Sequence, residues 1–166
     1  MTFVVISDTH GRVDRIESVL SKNTMRDGVL FLGDCLCDVL DVRDAISVRG
    51  NCDGLVFSDG ADTERMLCFD GVRILMMHGH THSIKSGTDR AIAYALSKGA
   101  DVLLYGHTHA REERYYPSGS EIAGVKSERP IYVFNPGSLG VPRDGRPSFG
   151  ILQIKNGSVL LSHGTV

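Results

Sequence analysis

The 166 residues, 42% hydrophobic and 23% charged, suit one globular domain, residues 1–166, that buries roughly two-thirds of its unfolded surface. No apolar run approaches the ~18 residues of a membrane helix, and the opening segment lacks a basic start and enters Ser7-Asp8-Thr9-His10 at once, so it reads as a strand rather than an export signal and points to the cytoplasm. A net charge of −2 lacks the basic excess of a protein that tracks nucleic-acid backbone, which sets aside long nucleic acids as well as membranes as partners.

Apolar runs followed by Gly-rich polar turns recur along the chain, each reading as a buried strand that delivers a loop to one sheet edge. Residues 2–7 form the first strand, and 12–23 follow with Val13, Ile16, Val19 and Leu20 at helical spacing. A second strand, 28–32, ends at Gly33-Asp34. Weaker helical spacing over 39–46 leads to a short strand at 47–49 and the loop Gly50-Asn51-Cys52-Asp53. Residues 64–77 read as a hairpin about Asp70-Gly71, a strong tight-turn pair, and its second strand ends at His78. A helix over 88–98 places Ala91, Ile92, Ala95 and Leu96 on one face, with Gly99 as its C-terminal stop. Residues 101–105 then deliver Gly106-His107-Thr108-His109. The polar stretch 115–130 reads as a surface loop or ragged edge, 131–134 as a strand ending at Asn135-Pro136-Gly137-Ser138, and 149–154 with 158–161 as a hairpin about Asn156-Gly157. Early strand–helix alternation with late hairpins gives an α/β layered fold with a mixed sheet.

Four cysteines, Cys35, Cys37, Cys52 and Cys68, are too few for a disulfide scaffold, and the single residue between Cys35 and Cys37 does not match the usual Cys–metal spacing. Reduced thiols are expected. The chemistry lies elsewhere. Asp8 and His10, and again His107 and His109, sit two residues apart at strand ends, where an extended backbone would point both side chains the same way. Asp34, Asn51 and His78 each arrive at the end of a further apolar run. Any one of these is an ordinary turn or cap residue; seven at successive strand ends are a ligand set. Mixed Asp, Asn and His donors without thiolate suit Mn²⁺, Fe²⁺, Zn²⁺, Ni²⁺ or Mg²⁺ better than a soft metal, and Mn²⁺ is the expected ion. Seven ligands exceed the needs of one ion, so two divalent metal ions are expected, bridged by Asp34.

The motifs Asp8-Thr9-His10, Gly33-Asp34, Gly50-Asn51, His78-Gly79-His80 and Gly106-His107-Thr108-His109 resemble, in order and spacing, the calcineurin-like metallophosphoesterases. Asn135-Pro136-Gly137-Ser138, with Arg143 and Arg146 downstream, looks like the small, uncapped YfcE-type phosphodiesterase branch. The resemblance implies a four-layer αββα sandwich of two mixed β-sheets flanked by helices. It also implies Asp8, His10, Asp34 and His109 on one metal and Asp34, Asn51, His78 and His107 on the other. The implied reaction is in-line attack on phosphorus by a hydroxide bridging the two metals. Many relatives have histidine where this chain has Cys52, so the usual leaving-group acid is missing; cysteine there is similar to the YfcE-type branch itself. Asn51, Cys52, Asp53 and His80 are the expected catalytic residues, with Cys52 or His80 as proton donor. His82 reads as a solvated loop residue, His163 as incidental, and Arg143 as a phosphate contact or a surface ion pair. The expected substrate is a small phosphodiester or nucleotide-like ester, and a homo-oligomer is compatible with the sequence. The rivals are a non-catalytic scaffold like the retromer subunit of this fold, and a nucleotide-directed phosphatase or nuclease.

Overall fold

The computed structural model describes residues 1–54 and 61–166. In chain order these residues form β1 (Thr2–Ile6), α1 (Val13–Lys22), β2 (Gly28–Phe31), β3 (Ala45–Ser47), β4 (Glu64–Phe69), β5 (Val72–Met77), α2 (Asp89–Ser97), β6 (Val102–Tyr105), β7 (Arg111–Tyr116), β8 (Glu121–Ile122), β9 (Val125–Lys126), β10 (Ile131–Pro136), β11 (Ser148–Lys155) and β12 (Ser158–Thr165).

Two five-stranded mixed sheets carry the fold, in the orders β12-β11-β1-β2-β3 and β4-β5-β6-β10-β7. Each has three adjacent parallel strands: β1-β2-β3 at one side of the first sheet, with antiparallel β11 and β12 beyond β1, and β5-β6-β10 at the centre of the second, with antiparallel β4 and β7 at its edges. Side-chain alternation then sorts the apolar residues into layers. Phe3, Val5, Leu30, Leu32, Ile74, Met76, Val102 and Leu104 meet in the core between the sheets. The alternate residues Val4, Ile6, Val29 and Phe31 pack outward against Ile16 and Val19 of α1, and Leu75, Met77, Leu103 and Tyr105 pack outward against Ala91, Ile92 and Ala95 of α2. The result is the expected αββα sandwich, and burial on both faces explains why the central strands read as unbroken apolar runs.

Local signals hold in detail. Asp70 and Gly71 at φ 49° and 79°, and Asn156 and Gly157 at 50° and 73°, make tight hairpin turns with two left-handed residues. Gly99 at φ 75° ends α2, where its N–H and that of Ala100 bond back to Leu96 and Ala95. Three expectations are corrected. Residues 39–46 are not a helix: a 3-10 turn at Leu36–Val39 is followed by further three-residue turns, Val42 N–H to Val39 O and Ala45 N–H to Val42 O. The short strand lies at Ala45–Ser47 rather than 47–49, set by its pairing with β2. The polar stretch from 115 contains the end of β7, which is hydrogen-bonded along its whole length to β10, and the small hairpin β8-β9.

Candidate metal centre

All seven expected ligands follow parallel strands: Asp8 and His10 after β1, Asp34 after β2, Asn51 after β3, His78 after β5, His107 and His109 after β6. Their side chains converge in two groups that share Asp34. Ligand atoms of Asp8, His10, Asp34 and His109 lie within 4.8 Å of one another, as do those of Asp34, His78 and His107. Asn51 joins the second group, its Oδ1 3.2 Å from His78 Nε2.

The backbone that achieves this is not the extended one expected. Asp8, His10, Asp34, His107 and His109 take left-handed conformations, at φ 53°, 45°, 66°, 67° and 60°, a region that costs of order 1–3 kcal/mol for most non-glycine residues and that Asp and His tolerate better than others. The pairs two residues apart therefore converge through tight loops rather than through strand alternation. The loops also press together: a Cβ on Gly106 would collide with Ser7 Oγ and the Asp8 carboxylate, and one on Gly50 with the Asp34 carboxylate.

Four of the candidate ligands, Asp8, Asp34, His78 and His109, are each held by one atom and leave another facing the site. Asp8 Oδ2 accepts from Ser7 Oγ at 2.5 Å and from His107 N–H at 3.0 Å, while buried Asp8 Oδ1 has no aligned donor among the described residues; His109 Nε2 stands 3.1 Å from it. Asp34 Oδ1 accepts from Cys52 N–H at 2.8 Å, leaving Oδ2 facing His78 Nε2 at 3.4 Å and His10 Nε2 at 3.9 Å. His78 and His109 donate from Nδ1 to the carbonyls of Leu32 and Val141, both at 2.8 Å, so in the neutral ring each Nε2 is a bare lone pair aimed inward. Buried His10 Nε2 has no hydrogen-bond partner among the described residues.

Lone pairs thus face lone pairs across the site, an arrangement that needs a proton or a cation between them. The titration preferences agree. Burial pushes the Asp34 carboxyl up, but the His78 imidazole and Cys52 N–H outweigh it and hold Asp34 well below the usual carboxylate range. His109 is raised, chiefly by Asp8, and His78 is raised by Asp34 and Asp8 against its own burial. Burial, with His78 beside it, pushes His107 down to about 4. Two carboxylates drawing positive charge onto neighbouring imidazoles, with amide oxygen and ring nitrogen as the other donors, form a set that can hold divalent cations.

Apart from Asn51, which joins the second group, the expected catalytic residues fall in three different places. Asp53 is 5% exposed and faces the backbone: it accepts from Asp34 N–H, Gly50 N–H and Leu36 N–H at 3.0, 2.7 and 2.6 Å. It clamps the Asp34 loop to the Asn51 loop. Cys52 is exposed, and burial of its thiol followed by the Asp34 charge pushes it up to about 11. His80 is half-buried with its ring 5.4 Å from that of His78 and 6.2 Å from that of His107. His82 is not a free loop residue, since its Nε2 lies 3.2 Å from Glu64 Oε2 and its ring 4.8 Å from that of Tyr94. His163 likewise has a structural place, donating to Asn135 O at 2.8 Å and stacking on Phe134. Arg143 is exposed, and its N–H donates to His109 O at 2.9 Å.

Sequence reading gave no role to the residues that brace these loops. Buried Asn135 donates from Nδ2 to Gly106 O and Thr108 Oγ1, both at 3.0 Å. Ser138 Oγ donates to Asp8 O at 2.8 Å. Asp38 accepts from Thr9 Oγ1 and Gly11 N–H at 2.6 and 2.8 Å. The Asn135-Pro136-Gly137-Ser138 run was the available signal.

Comparison with known proteins gives the family and the fold. The sequence profile described as the calcineurin-like phosphoesterase superfamily domain matches residues 1–157. The probable metallophosphoesterase YsnB of Bacillus subtilis (strain 168) is 30% identical over 160 residues, covering 94% of this chain and 86% of its own. Phosphodiesterase YfcE of Escherichia coli (strain K12) is 34% identical over 114 residues, 64% of this chain and 51% of that protein. The crystal structure of a conserved uncharacterized protein from Streptococcus pneumoniae TIGR4 matches with a TM-score of 0.77 at 24% identity, over 99% of this chain and 88% of that one, which shows the shared fold.

Proposed function

The chain belongs to the calcineurin-like phosphoesterase superfamily, and on that premise we propose that it is a phosphodiesterase working with two divalent metal ions. The observation that carries this reading is Asp34, whose one outward-facing oxygen lies 3.4 Å from His78 Nε2 and 3.9 Å from His10 Nε2 and so belongs to both ligand groups. Asp8, His10 and His109 complete the first group, and Asn51, His78 and His107 the second. The oxygen and imidazole donors suit Mn²⁺, Ni²⁺, Zn²⁺, Fe²⁺ or Mg²⁺, and Mn²⁺ is the ion proposed. When bound, two such ions supply a nucleophile from water at neutral pH and Lewis-acid stabilisation of the phosphoryl oxygens.

The chain's own residues hold and orient the reaction. Asp53 and Asn135 fix the loops, and the carbonyls of Leu32 and Val141 fix the rings of His78 and His109. His80 stands beside the second group as a substrate contact or proton donor. The Cys52 thiol, at about 11, is a weak acid next to an imidazolium, so activated esters should react faster than alkyl esters. In this reading residues 1–166 are one catalytic domain acting in the cytoplasm on a small phosphodiester or nucleotide-like substrate. Among the described residues no helix is long and apolar enough to cross a membrane.

The test is hydrolysis of bis-p-nitrophenyl phosphate against p-nitrophenyl phosphate by metal-stripped protein re-supplied with Mn²⁺, Ni²⁺, Zn²⁺ or Mg²⁺. Metal-dependent turnover that favours the diester is expected, highest with Mn²⁺. Inactivity with every metal would overturn the enzyme reading in favour of a retromer-subunit-like scaffold.

A further inference from the structure

At the end of the second sheet away from the ligand groups, a cavity of about 490 Å³ opens between the C-terminal end of α2, the start of β5, and β9 with the segment after it. That volume is within the range of small-molecule pockets. β5 borders the cavity at Arg73 and reaches His78 five residues later, so at ~3.3 Å per residue the cavity lies roughly 16 Å from the ligand groups. The chain as a whole carries a net charge of −2, yet this lining is basic: Arg73, Lys98, Lys126 and Arg129 stand against one carboxylate, Glu128.

Two of the four cations share a single acid. Asp101 accepts from Arg73 N–H at 2.9 Å and from Arg129 Nη1 at 3.3 Å, and Arg73 Nε stands 3.5 Å from it. One carboxylate cannot neutralise two guanidiniums, which keep their charge, and Arg73 Nη2 is buried without a hydrogen-bond acceptor among the described residues. Gly99 makes room for that guanidinium, since a Cβ there would meet Arg73 Nη1 at 2.6 Å. The end of α2 adds about half a negative charge, which Arg73 offsets. Lys98 and Lys126 belong to none of the ion pairs among the described residues. Lys98 Nζ lies 5.2 Å from the centre of the Tyr94 ring, and Lys126 stands across the β8–β9 pair from exposed Glu121 without an ion pair to it. Surplus positive charge therefore borders the cavity.

We propose that this cavity binds a small molecule through a diphosphate group, with Lys98 and Lys126 taking its oxygens from two walls and Arg129 supplying a guanidinium fork. The class follows from the donors. Ammonium and guanidinium groups on separate elements call for an anion whose charged oxygens are spread over more than one centre, and the cavity is larger than one phosphate needs. A guanidinium meets phosphate oxygens with paired charge-assisted hydrogen bonds, and low-dielectric walls concentrate the field of the cations on an anion that enters. The site uses none of the seven ligand candidates, and it stands whether or not the chain is an esterase.

The experiment reads each lysine by itself. Metal-loaded protein is acetylated with a water-soluble N-hydroxysuccinimide ester, with and without inorganic pyrophosphate or ADP at matched ionic strength, and the rate at each lysine is followed by mass spectrometry. Saturating ligand should slow acetylation of Lys98 and Lys126 about tenfold, the loss expected when an ammonium is held in a charge-assisted hydrogen bond. Lys22 and Lys155, which lie outside this cavity, should stay within about twofold. Protection by pyrophosphate alone assigns free diphosphate as the ligand, and protection by ADP at lower concentration assigns a nucleotide. Arg129→Gln should raise the half-protecting concentration about tenfold with bound metal unchanged. Diphosphate held only at the metal ions would leave Lys98 and Lys126 unprotected, and that result would overturn the proposal. So would equal protection of every lysine, protection by citrate alone, or an Arg129→Gln variant protected as well as the wild type.

Discussion

The tetrapeptide Gly-His-Thr-His occurs twice, at 79–82 and 106–109, beyond the ends of neighbouring parallel strands, and folds in two different ways. Met77 of β5 pairs with Tyr105 of β6, so His78 stands level with Gly106, whose N–H donates to His78 O at 3.1 Å. The first copy thus starts one residue farther from its strand end than the second. It curls into a 3-10 turn, His80–His82, and sends His82 back to Glu64 and Tyr94. The second copy puts both histidines in left-handed conformations, with Asn135 holding Gly106 O and Thr108 Oγ1. Identical residues become ligand candidates in one place and a structural tie in the other. The difference is made by register against the strand end and by the loop that braces the turn.

The sharpest way to break this contrast is to remove the histidines themselves. His107→Ala or His109→Ala should lower kcat/KM for bis-p-nitrophenyl phosphate by roughly 10³-fold or more, the size expected when an ion that supplies both nucleophile and charge stabilisation is displaced. Asp34→Asn and His78→Ala belong in the same class. Circular dichroism should be unchanged, because each change is made at a loop and not in the three apolar clusters. An equal kinetic loss from His82→Ala would erase the distinction between the copies.

A smaller effect is expected at the braces. Asn135→Ala strips the support from the second copy and removes the side-chain donor to Gly106 O, which keeps only its local bond from Thr108 N–H among the described residues. It should weaken metal binding by about 10- to 100-fold, as loss of a group behind a ligand does, and excess Mn²⁺ should restore most of the turnover. Glu64→Ala strips the support from the first copy and should leave metal affinity as it was. Metal titration by calorimetry on both variants reads the contrast directly, and equal weakening in the two would show that the bracing is not selective.

Much of this was legible in the sequence, because strands buried on both faces write themselves as apolar runs and their ends are marked by Gly and Asp. Asp8, Asp34, His78 and His107 were readable for that reason. Other features depended on partners distant in the chain. β7 is Arg-Glu-Glu-Arg-Tyr-Tyr, an edge strand whose charged residues alternate half-buried and exposed, and only its pairing with β10 makes it a strand. The turns over 39–46 have apolar residues at helical intervals, yet β2 and β3 lie side by side and the short crossover closes with three-residue turns instead. Asp53 looked like part of a catalytic motif, and its orientation toward three backbone amides could not be read from its neighbours. Left-handed backbone at five of the candidate ligands was also hidden, since Asp and His carry no glycine-like signature. The expected convergence was right, but the extended geometry offered for it was not.

The least effect should come from the first copy's own histidine, and that makes it the most discriminating test. His82 Nε2 lies 3.2 Å from Glu64 Oε2, with side-chain exposures of 19% and 34%, and Tyr94 OH donates to the other Glu64 oxygen at 2.5 Å. These three side chains join the start of β4 to α2 across the surface of the second sheet. His82→Ala removes one hydrogen bond and one ring contact from a partly solvated triad, which sets the loss near 1 kcal/mol, or roughly 3 °C in melting temperature for a chain of this size. His82→Gln keeps a donor within reach of Glu64 and should recover part of that loss. Neither change touches Asp34, His107 or the loop at Asn135, so bound metal and kcat/KM should stay within about twofold of the wild type. A stability loss with intact metal content would fix His82 as a tie between β4 and α2, whereas loss of metal would mean that the first copy reaches the centre after all.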